Sequence, residues 1–200
     1  MNAPANKGRQ FPAETLTPKE IGGLLWACSS KAPTGLRNRS LLALLYRGGL
    51  RVSEALSLYP KDLNTEAGEL TVLRGKGGKR RVVAVDEGAL RFLERWLERR
   101  ERLGFNGRQP VFCTLKGEPV KAAYIRALLP RLARRAGIEK RVHAHALRHT
   151  FASELAGEGL PLSTIQTLLG HSRASTTDRY LRELNPARAL EAVKRREWKE

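Results

Sequence analysis

The spacing of apolar residues changes once along the chain, and this change limits the folds open to it. Leu70–Leu73 and Arg81–Val85 are rich in β-branched residues, and glycine-rich Gly75-Lys76-Gly77-Gly78-Lys79 lies between them. This pattern predicts a β-hairpin with a basic turn. Val111–Thr114 is predicted to be a short third strand. Elsewhere apolar residues recur at helical spacing. The sequence therefore predicts a mainly α fold with a small three-stranded antiparallel sheet (α+β).

Capping residues and glycines locate the helices. Thr17-Pro18-Lys19-Glu20 is a capping box with proline at the first helical position, and Asp86 can cap a helix after the hairpin. Pro130 is expected to bend the helix in which it lies, and Gly137 to follow that helix. Six helices are predicted with both ends, at about residues 17–30, 52–58, 120–135, 146–156, 162–169 and 174–181. Three more are predicted: one contains Leu41–Leu45 and ends at Gly48, one begins at residue 87, and one runs from Asn185 to the C-terminal end.

The charge balance points to a polyanionic partner. The chain has 37 Lys and Arg against 20 Asp and Glu, a net charge of +17. Nucleic acid is the simplest partner of such a chain. An anionic membrane is the weaker interpretation, because the basic residues do not gather on one amphipathic helix.

Other features exclude several classes of protein. No apolar stretch reaches the roughly 18 residues of a membrane span, and residues 1–10 lack the apolar core of a secretory signal. Cys28 and Cys113 are isolated, so neither a zinc site nor a disulfide framework is indicated, and a cytoplasmic location is expected.

Two short segments carry residues suited to binding an anion. Arg51 lies where one predicted helix ends and another begins, so it could hold an anion together with helix N–H groups, or pair with Glu54. His145 and Arg148 are three residues apart and share a helix face, where an imidazole could exchange a proton beside a guanidinium that binds phosphate. His145 and His149 have the i, i+4 spacing of a zinc helix, but the HExxH pattern is absent, which favours the phosphate interpretation.

Two further residues have a structural alternative. His171 follows a predicted helix and could simply interact favourably with that helix's C-terminal dipole. Tyr180 lies in a polar helical segment, where a tyrosine is usually half-buried with its hydroxyl in water.

Five motifs, taken together and in order, resemble the tyrosine recombinases, also called the phage integrase family, over about Leu16 to Leu184. The likeness is strongest to the Xer-type and integron-like branch. The motifs are Gly49-Leu50-Arg51-Val52-Ser53-Glu54, Gly75-Lys76-Gly77, His145-Ala146-Leu147-Arg148-His149-Thr150-Phe151-Ala152, Leu168-Leu169-Gly170-His171-Ser172 and Ser175-Thr176-Thr177-Asp178-Arg179-Tyr180.

The resemblance implies the tyrosine-recombinase catalytic-domain fold and an organisation in three parts. Residues 1–14 are expected to be a flexible tail, 15–184 the catalytic domain, and 185–200 a C-terminal helix that is either exchanged between protomers or folded back on its own domain. Most relatives carry a helical core-binding domain first, and none is expected here. The chain is then a catalytic fragment, a short recombinase that relies on a helper protein or a tighter basic surface, or a remnant that binds DNA.

The activity implied by the resemblance is site-specific DNA recombination, for integration, excision or dimer resolution. Tyr180 would attack the scissile phosphate and form a 3′-phosphotyrosyl intermediate, with no metal, ATP or other cofactor. Arg51 and Arg148 would bind the non-bridging phosphate oxygens, and His145 would assist proton transfer. The resemblance also implies that His171 hydrogen-bonds the phosphate and that Lys76 protonates the departing 5′-oxygen; Lys79 is the rival for the last role.

The implied partner is double-stranded DNA, bound by a homo-oligomer that is a tetramer on DNA and either a monomer or an oligomer when free. Candidate contacts to the DNA backbone are Arg74, Lys79, Arg80, Arg81, Arg131, Arg134, Arg135, Lys140 and Arg141. We expect about half of the basic helical residues, such as Arg99 and Arg126, to be solvated instead. Alternative functions are relaxation of DNA, as in type IB topoisomerases, and regulation by a non-catalytic DNA-binding protein. An RNA-binding protein is a further alternative with little support, because the sequence has no RNP-type aromatic motif.

Overall fold

The structure, a computed structural model, describes residues 15–73 and 80–170. This part of the chain forms seven α-helices, one 3₁₀ turn and three strands. The elements are α1 (Pro18–Trp26), α2 (Pro33–Arg47), α3 (Val52–Leu56), the 3₁₀ turn (Pro60–Asp62), β1 (Leu63–Asn64), β2 (Glu69–Leu73), β3 (Arg80–Ala84), α4 (Glu87–Arg102), α5 (Ala122–Arg135), α6 (Ala144–Gly157) and α7 (Leu162–Leu169). The predicted mainly α fold with a small sheet is confirmed.

Helix α2 lies at the centre of the fold and is buried along almost its whole length. Leu44 and Leu45 are fully buried, and α2 packs against α4 and α6. Two buried arginines of α2 bind main-chain carbonyl oxygens. Arg37 Nη1 donates to Cys113 O at 3.0 Å, and Arg39 Nη2 donates to Cys28 O at 2.7 Å. These bonds satisfy charged groups that would otherwise be costly to bury.

The sheet has the order β1-β2-β3, and both pairs of strands are antiparallel. In the β2–β3 pair Leu70 lies opposite Val83 and Val72 lies opposite Arg81. Leu70, Val72 and Val83 are buried. The predicted hairpin strands are thus present, and one face of the sheet covers the helical core.

The predicted third strand at residues 111–114 is wrong. The third strand is β1, and the 111–114 segment makes only one isolated bridge, between Cys113 and Pro119. The main chain of Val111 forms hydrogen bonds outside the sheet: its N–H donates to Leu58 O, and its carbonyl oxygen accepts from Trp96 Nε1. Phe112 is fully buried. The apolar run therefore marks a buried connection.

The helix termini follow their local signals closely. Thr17 and Glu20 form the predicted capping box, Asp86 Oδ1 accepts from Ala89 N at 2.8 Å, and Gly137 follows α5 with φ +66°. Helix α1 is shorter than predicted and ends at Trp26, since a turn held by Ser29 Oγ follows it. Helix α5 continues through Pro130 to Arg135.

Helices α6 and α7 form a smaller apolar cluster at one end of the fold. Ala152 of α6 packs with Ile165 and Leu169 of α7. This cluster places the C-terminal end of α7 beside the turn between α2 and α3. No helix within residues 15–73 and 80–170 combines the length and the apolarity that crossing a bilayer requires.

Candidate active site

The carboxylate of Glu54 is the centre of the site. Its side chain is 8% exposed and lies in α3, a helix of five residues that begins directly after Arg51. Glu54 Oε1 accepts from Arg51 Nη1 at 2.7 Å and from Arg81 Nη1 at 2.9 Å. Glu54 Oε2 accepts from the Arg51 backbone N–H and from Arg81 Nη2, both at 2.9 Å. A third guanidinium is near, because Arg148 Nη1 lies 3.9 Å from Oε2.

The arginines hold Glu54 in its ionised form. Burial alone raises the pKa of Glu54, but the hydrogen bonds from Arg81 and the Arg51 backbone outweigh it and lower that pKa to about 2. At neutral pH the cluster therefore contains three guanidinium cations and one carboxylate. The net positive charge of such a cluster favours an anionic ligand.

Arg148 is fixed by main-chain oxygens from two other elements. Its side chain is 4% exposed, Nη1 donates to Gly49 O, and Nη2 donates to Leu169 O at 2.6 Å. Gly49 belongs to the turn between α2 and α3, and Leu169 ends α7. Arg148, from α6, thus joins three parts of the fold and has its guanidinium plane set by them.

Gly49 is required for this arrangement. Its φ of +56° is in the left-handed region, and a Cβ there would lie 2.5 Å from Phe151 Cδ1. Because Phe151 packs directly against the glycine, α6 comes close enough for Arg148 to reach Gly49 O.

The sequence left two alternatives for Arg51, an ion pair with Glu54 or binding of an anion, and its position in the structure is compatible with both. Its side chain forms the ion pair with Glu54, yet 42% of it remains exposed. It is the N-cap residue of α3, where its main chain has extended geometry. An exposed guanidinium beside a helix N-terminus can bind an anion from solvent.

Three histidines gather at the start of α6. The His145 ring centroid is 5.8 Å from that of buried His149 and 6.5 Å from that of His143. His143 Nδ1 caps the helix by accepting from Ala146 N at 2.9 Å. The described ranges contain no group of three or more His, Cys, Asp or Glu that could hold a metal ion.

Their surroundings favour the neutral form of both His145 and His149. Desolvation lowers the pKa of His149 to about 4. Desolvation, followed by the positive charge of Arg148, lowers the pKa of His145 below its ordinary 6.5, although the residue is exposed at the surface. A neutral, accessible imidazole next to a guanidinium cluster can accept a proton.

The structure brings together three of the six residues expected to be catalytic. Arg51 and Arg148 meet at Glu54, and His145 lies one turn before Arg148 on α6. The other three lie outside the described residues, as do two predicted DNA contacts and both terminal segments. These are Lys76, His171 and Tyr180, Arg74 and Lys79, and the segments 1–14 and 185–200.

Most of the remaining predicted DNA contacts are on the surface. Lys140 is half-exposed and pairs with Glu20 Oε2 at 3.0 Å. Arg141 borders a groove of about 390 Å³ that is also lined by Val52 and His143, so it lies next to the segments that carry Arg51 and His145. The exposed members of this set are Arg80, Arg131, Arg134, Arg135 and Arg141.

Arg81 differs from the other predicted DNA contacts. The sequence placed it among the contacts to the DNA backbone, but its side chain is 12% exposed and both of its Nη atoms bind Glu54. The alternation of a strand could have indicated this, because Arg81 shares a face with buried Val83. Glu54 was recognised only as an alternative partner of Arg51, and its contact with Arg81 depends on the tertiary structure.

The amino-acid sequence of this chain is similar to those of known proteins. The Phage integrase family matches residues 14–186. "Tyrosine recombinase XerD" of Xanthomonas axonopodis pv. citri (strain 306) is 40% identical over 186 residues, which cover 88% of this chain and 60% of that protein. The chain thus spans less than two thirds of the length of this relative.

Solved structures show the same similarity. The crystal structure of XerA recombinase has a TM-score of 0.80 at 28% identity and is matched over 99% of this chain and 71% of its own. XerH site-specific recombinase, bound to palindromic difH substrate in a post-cleavage complex, has a TM-score of 0.76 at 31% identity, over 92% of this chain and 54% of its own. Because the family match extends over residues 14–186, most of the chain, this chain belongs to the phage integrase family.

Proposed function

We propose that this chain is the catalytic domain of a site-specific DNA recombinase, which cleaves and rejoins DNA through a 3′-phosphotyrosyl intermediate. The observation that carries the proposal is the meeting of Arg51 and Arg148 at one buried carboxylate, Glu54. Together with Arg81 they leave a surplus of positive charge at the site. A phosphodiester is anionic and gains charge in the transition state, so such a surplus stabilises that state.

In the proposed reaction, the Tyr180 oxygen attacks the scissile phosphorus and the bond to the 5′-oxygen breaks. The tyrosine becomes linked to the 3′-phosphate, and a 5′-hydroxyl is released. A 5′-hydroxyl, from the same or another duplex, later attacks this link and frees the tyrosine. The number of phosphoester bonds is unchanged, so the cycle needs no ATP, and the guanidinium groups supply the positive charge that a metal ion would otherwise provide.

Proton transfers are assigned to the side chains at hand. A phenol with an ordinary pKa of about 10 is a weak nucleophile at neutral pH. His145 can assist by accepting the phenolic proton, because its lowered pKa keeps it neutral. We assign protonation of the leaving 5′-oxygen to Lys76, with Lys79 as the alternative, and a hydrogen bond to the phosphate to His171.

Arg51 and Arg148 bind the two non-bridging oxygens in this proposal. Arg51 is accessible from solvent, whereas the Arg148 guanidinium donates hydrogen bonds to the carbonyl oxygens of Gly49 and Leu169. This support fixes the guanidinium before the substrate arrives. A preorganised donor of this kind does not have to reorganise during the reaction.

The proposed partner is double-stranded DNA, bound by a homotetramer in which residues 185–200 are either exchanged between protomers or folded back on their own domain. The DNA-bound XerH structure supports the choice of DNA. The exposed arginines of β3 and α5, together with Arg141, would contact the phosphate backbone, so binding should weaken steeply with salt. We also propose a helper protein as a second partner, with the reaction taking place in the cytoplasm.

The remaining alternatives are less favoured. A topoisomerase-like enzyme shares the chemistry but reseals the same strand, and the named relatives are recombinases. A regulator without chemistry would bind DNA in the same way with or without Tyr180. Both alternatives are tested by the experiment that follows.

Covalent trapping on nicked DNA tests the proposal. Duplexes from the DNA that flanks the gene carry a nick just beyond each candidate cleavage position, so that the released fragment diffuses away. We expect a protease-sensitive protein–DNA band at low salt that Tyr180→Phe abolishes. Tyr59→Phe, which changes another tyrosine in the same way, should retain the band. Joining of two different duplexes would then separate recombination from relaxation.

DNA binding without any covalent band would contradict the catalytic proposal and favour a regulator. A band that persists in Tyr180→Phe would show that another residue is the nucleophile.

A further inference from the structure

We propose that Arg81 is a positioning residue for the cleavage step: it occupies the acceptor sites of Glu54 so that Arg148 remains available to the phosphate. The inference deepens the proposed function and depends on it. It replaces the role of DNA-backbone contact that the sequence had indicated for Arg81.

The first argument is the orientation of Arg81 in strand β3. Its side chain is on the same face as Val83 and is 12% exposed. Its Nε donates to Leu168 O at 3.2 Å, while Nη1 and Nη2 each donate to a different oxygen of Glu54 at 2.9 Å. A side chain with its three nitrogens engaged inside the protein is poorly placed to bind DNA.

The second argument is the number of hydrogen bonds that Glu54 can accept. A carboxylate has about four lone-pair sites. Four donors already use them, two from Arg51 and two from Arg81. Arg148 Nη1, at 3.9 Å, is attracted by the charge but stands beyond hydrogen-bond distance.

The consequence follows when Arg81 is removed. Two acceptor sites on a buried carboxylate would lose their donors, and leaving them unsatisfied is costly. Arg51 already donates to Glu54, and Arg148 Nη1 lies only 3.9 Å from Oε2, so a small movement would let Arg148 fill one of these sites. That movement would draw its guanidinium towards Glu54 and away from the phosphate.

The third argument is the packing of Arg81 at the end of α7. A Cβ on Gly170 would lie 3.1 Å from Arg81 Nη1 and 3.2 Å from its Cζ, so the guanidinium lies against the Gly170 backbone. Arg81 thus binds Leu168 O and contacts Gly170, while Arg148 binds Leu169 O between them. Gly170 immediately precedes His171 in the sequence. Arg81 therefore holds the chain where it leaves α7.

The test compares Arg81→Gln with Arg80→Gln, its exposed neighbour in the same strand. The rate of covalent trapping at saturating DNA is measured separately from the Kd for the same duplex, with Tyr180→Phe in place of the wild-type tyrosine for the Kd series. We expect Arg81→Gln to lower the rate about tenfold or more and to change the Kd less than twofold. Arg80→Gln should raise the Kd and make it less dependent on salt concentration.

A conservative variant and a crystal structure complete the test. Arg81→Lys can donate to Glu54 but not to both oxygens with a planar fork, so an intermediate rate is expected. It also serves if Arg81→Gln fails to fold. In crystals of the glutamine or lysine variant, Arg148 Nη1 should move from 3.9 Å to hydrogen-bond distance from Glu54.

Arg81→Gln that cleaves at the wild-type rate, or that weakens DNA binding as much as Arg80→Gln does, would overturn the inference. A wild-type chain that forms no Tyr180-dependent product would instead count against the proposed function. In that case the position of Arg148 in the crystal structure of the variant still decides whether Arg81 holds it away from Glu54.

Discussion

Replacing Glu54 by glutamine tests the charge balance of the site, because it removes one negative charge and nearly preserves the shape. The pKa of Glu54 is about 2, against an ordinary value of 4.5. Each pKa unit is worth about 1.4 kcal/mol, so the ionised form stabilises the folded chain by about 3 kcal/mol at pH 7. The side chain is 8% exposed, so solvent screening takes little from this figure.

The sign of the pH dependence follows from the lowered pKa. A carboxylate whose pKa falls on folding contributes fully above its ordinary pKa of about 4.5, and that contribution is lost as the pH falls towards about 2. Wild type and Glu54→Gln should therefore differ by a constant amount from pH 7 to pH 5, and the difference should shrink below pH 4.5.

Urea unfolding followed by circular dichroism at pH 7, 5.5, 4 and 3 measures this difference. Glu98→Gln is the matched control: its partner Arg102 lies 4.0 Å away, and both side chains are well exposed. An exposed pair of this kind contributes roughly 0–1 kcal/mol. A loss of less than about 1 kcal/mol in Glu54→Gln at pH 7, or a difference that stays constant down to pH 3, would refute the reasoning.

Two further predictions concern the same part of the fold. The pKa of buried His149 is about 4, below its ordinary 6.5, so its contribution to wild-type stability is complete above pH 6.5 and is lost as the pH falls towards 4. In urea unfolding, His149→Gln should reduce the dependence of stability on pH between pH 6.5 and 5. An unchanged dependence would assign it to other groups. Gly49→Ala should lower the stability of the fold by about 2 kcal/mol, because it places a Cβ on a residue with left-handed backbone geometry and brings that Cβ against Phe151. Gly22→Ala in α1 is the control in thermal unfolding, and it should be neutral or stabilising because no atom lies within 4 Å of its added Cβ. Equal effects of the two substitutions would contradict the argument.

The local elements were largely predictable from the sequence. The capping box at Thr17, the cap at Asp86 and the glycine after α5 act within three or four residues, so their signals are complete in a short window. The β2–β3 pair was predictable for the same reason, because its strands are close in sequence.

Apolar runs without such signals were harder to interpret. Residues 111–114 suggested a strand because they are apolar, but the backbone partners of Val111, which are Leu58 and Trp96, come from distant segments. Burial alone does not distinguish a strand from a buried connection. The third strand, β1, has two residues and too little pattern to be recognised.

The candidate site divides in a similar way. Arg51, His145 and Arg148 were found through motifs that resemble a family, and Glu54 was considered only as a neighbour of Arg51. The basic character of Arg81 suggested a contact to DNA, whereas the tertiary structure places its side chain on the inner face of β3, where it binds Glu54.

By itself the sequence determined the helical and hairpin segments, the caps, the strong positive charge and the family to which the residues point. These properties depend on residue types and on spacings within one element. Only the tertiary structure decided that α3, β3 and α6 bring three arginines to one carboxylate, and that Arg148 is supported by Gly49 and Leu169. The physical reason is that burial and hydrogen-bond partners across the fold are set by the packing of α2, α6 and α7, which no short stretch of sequence contains.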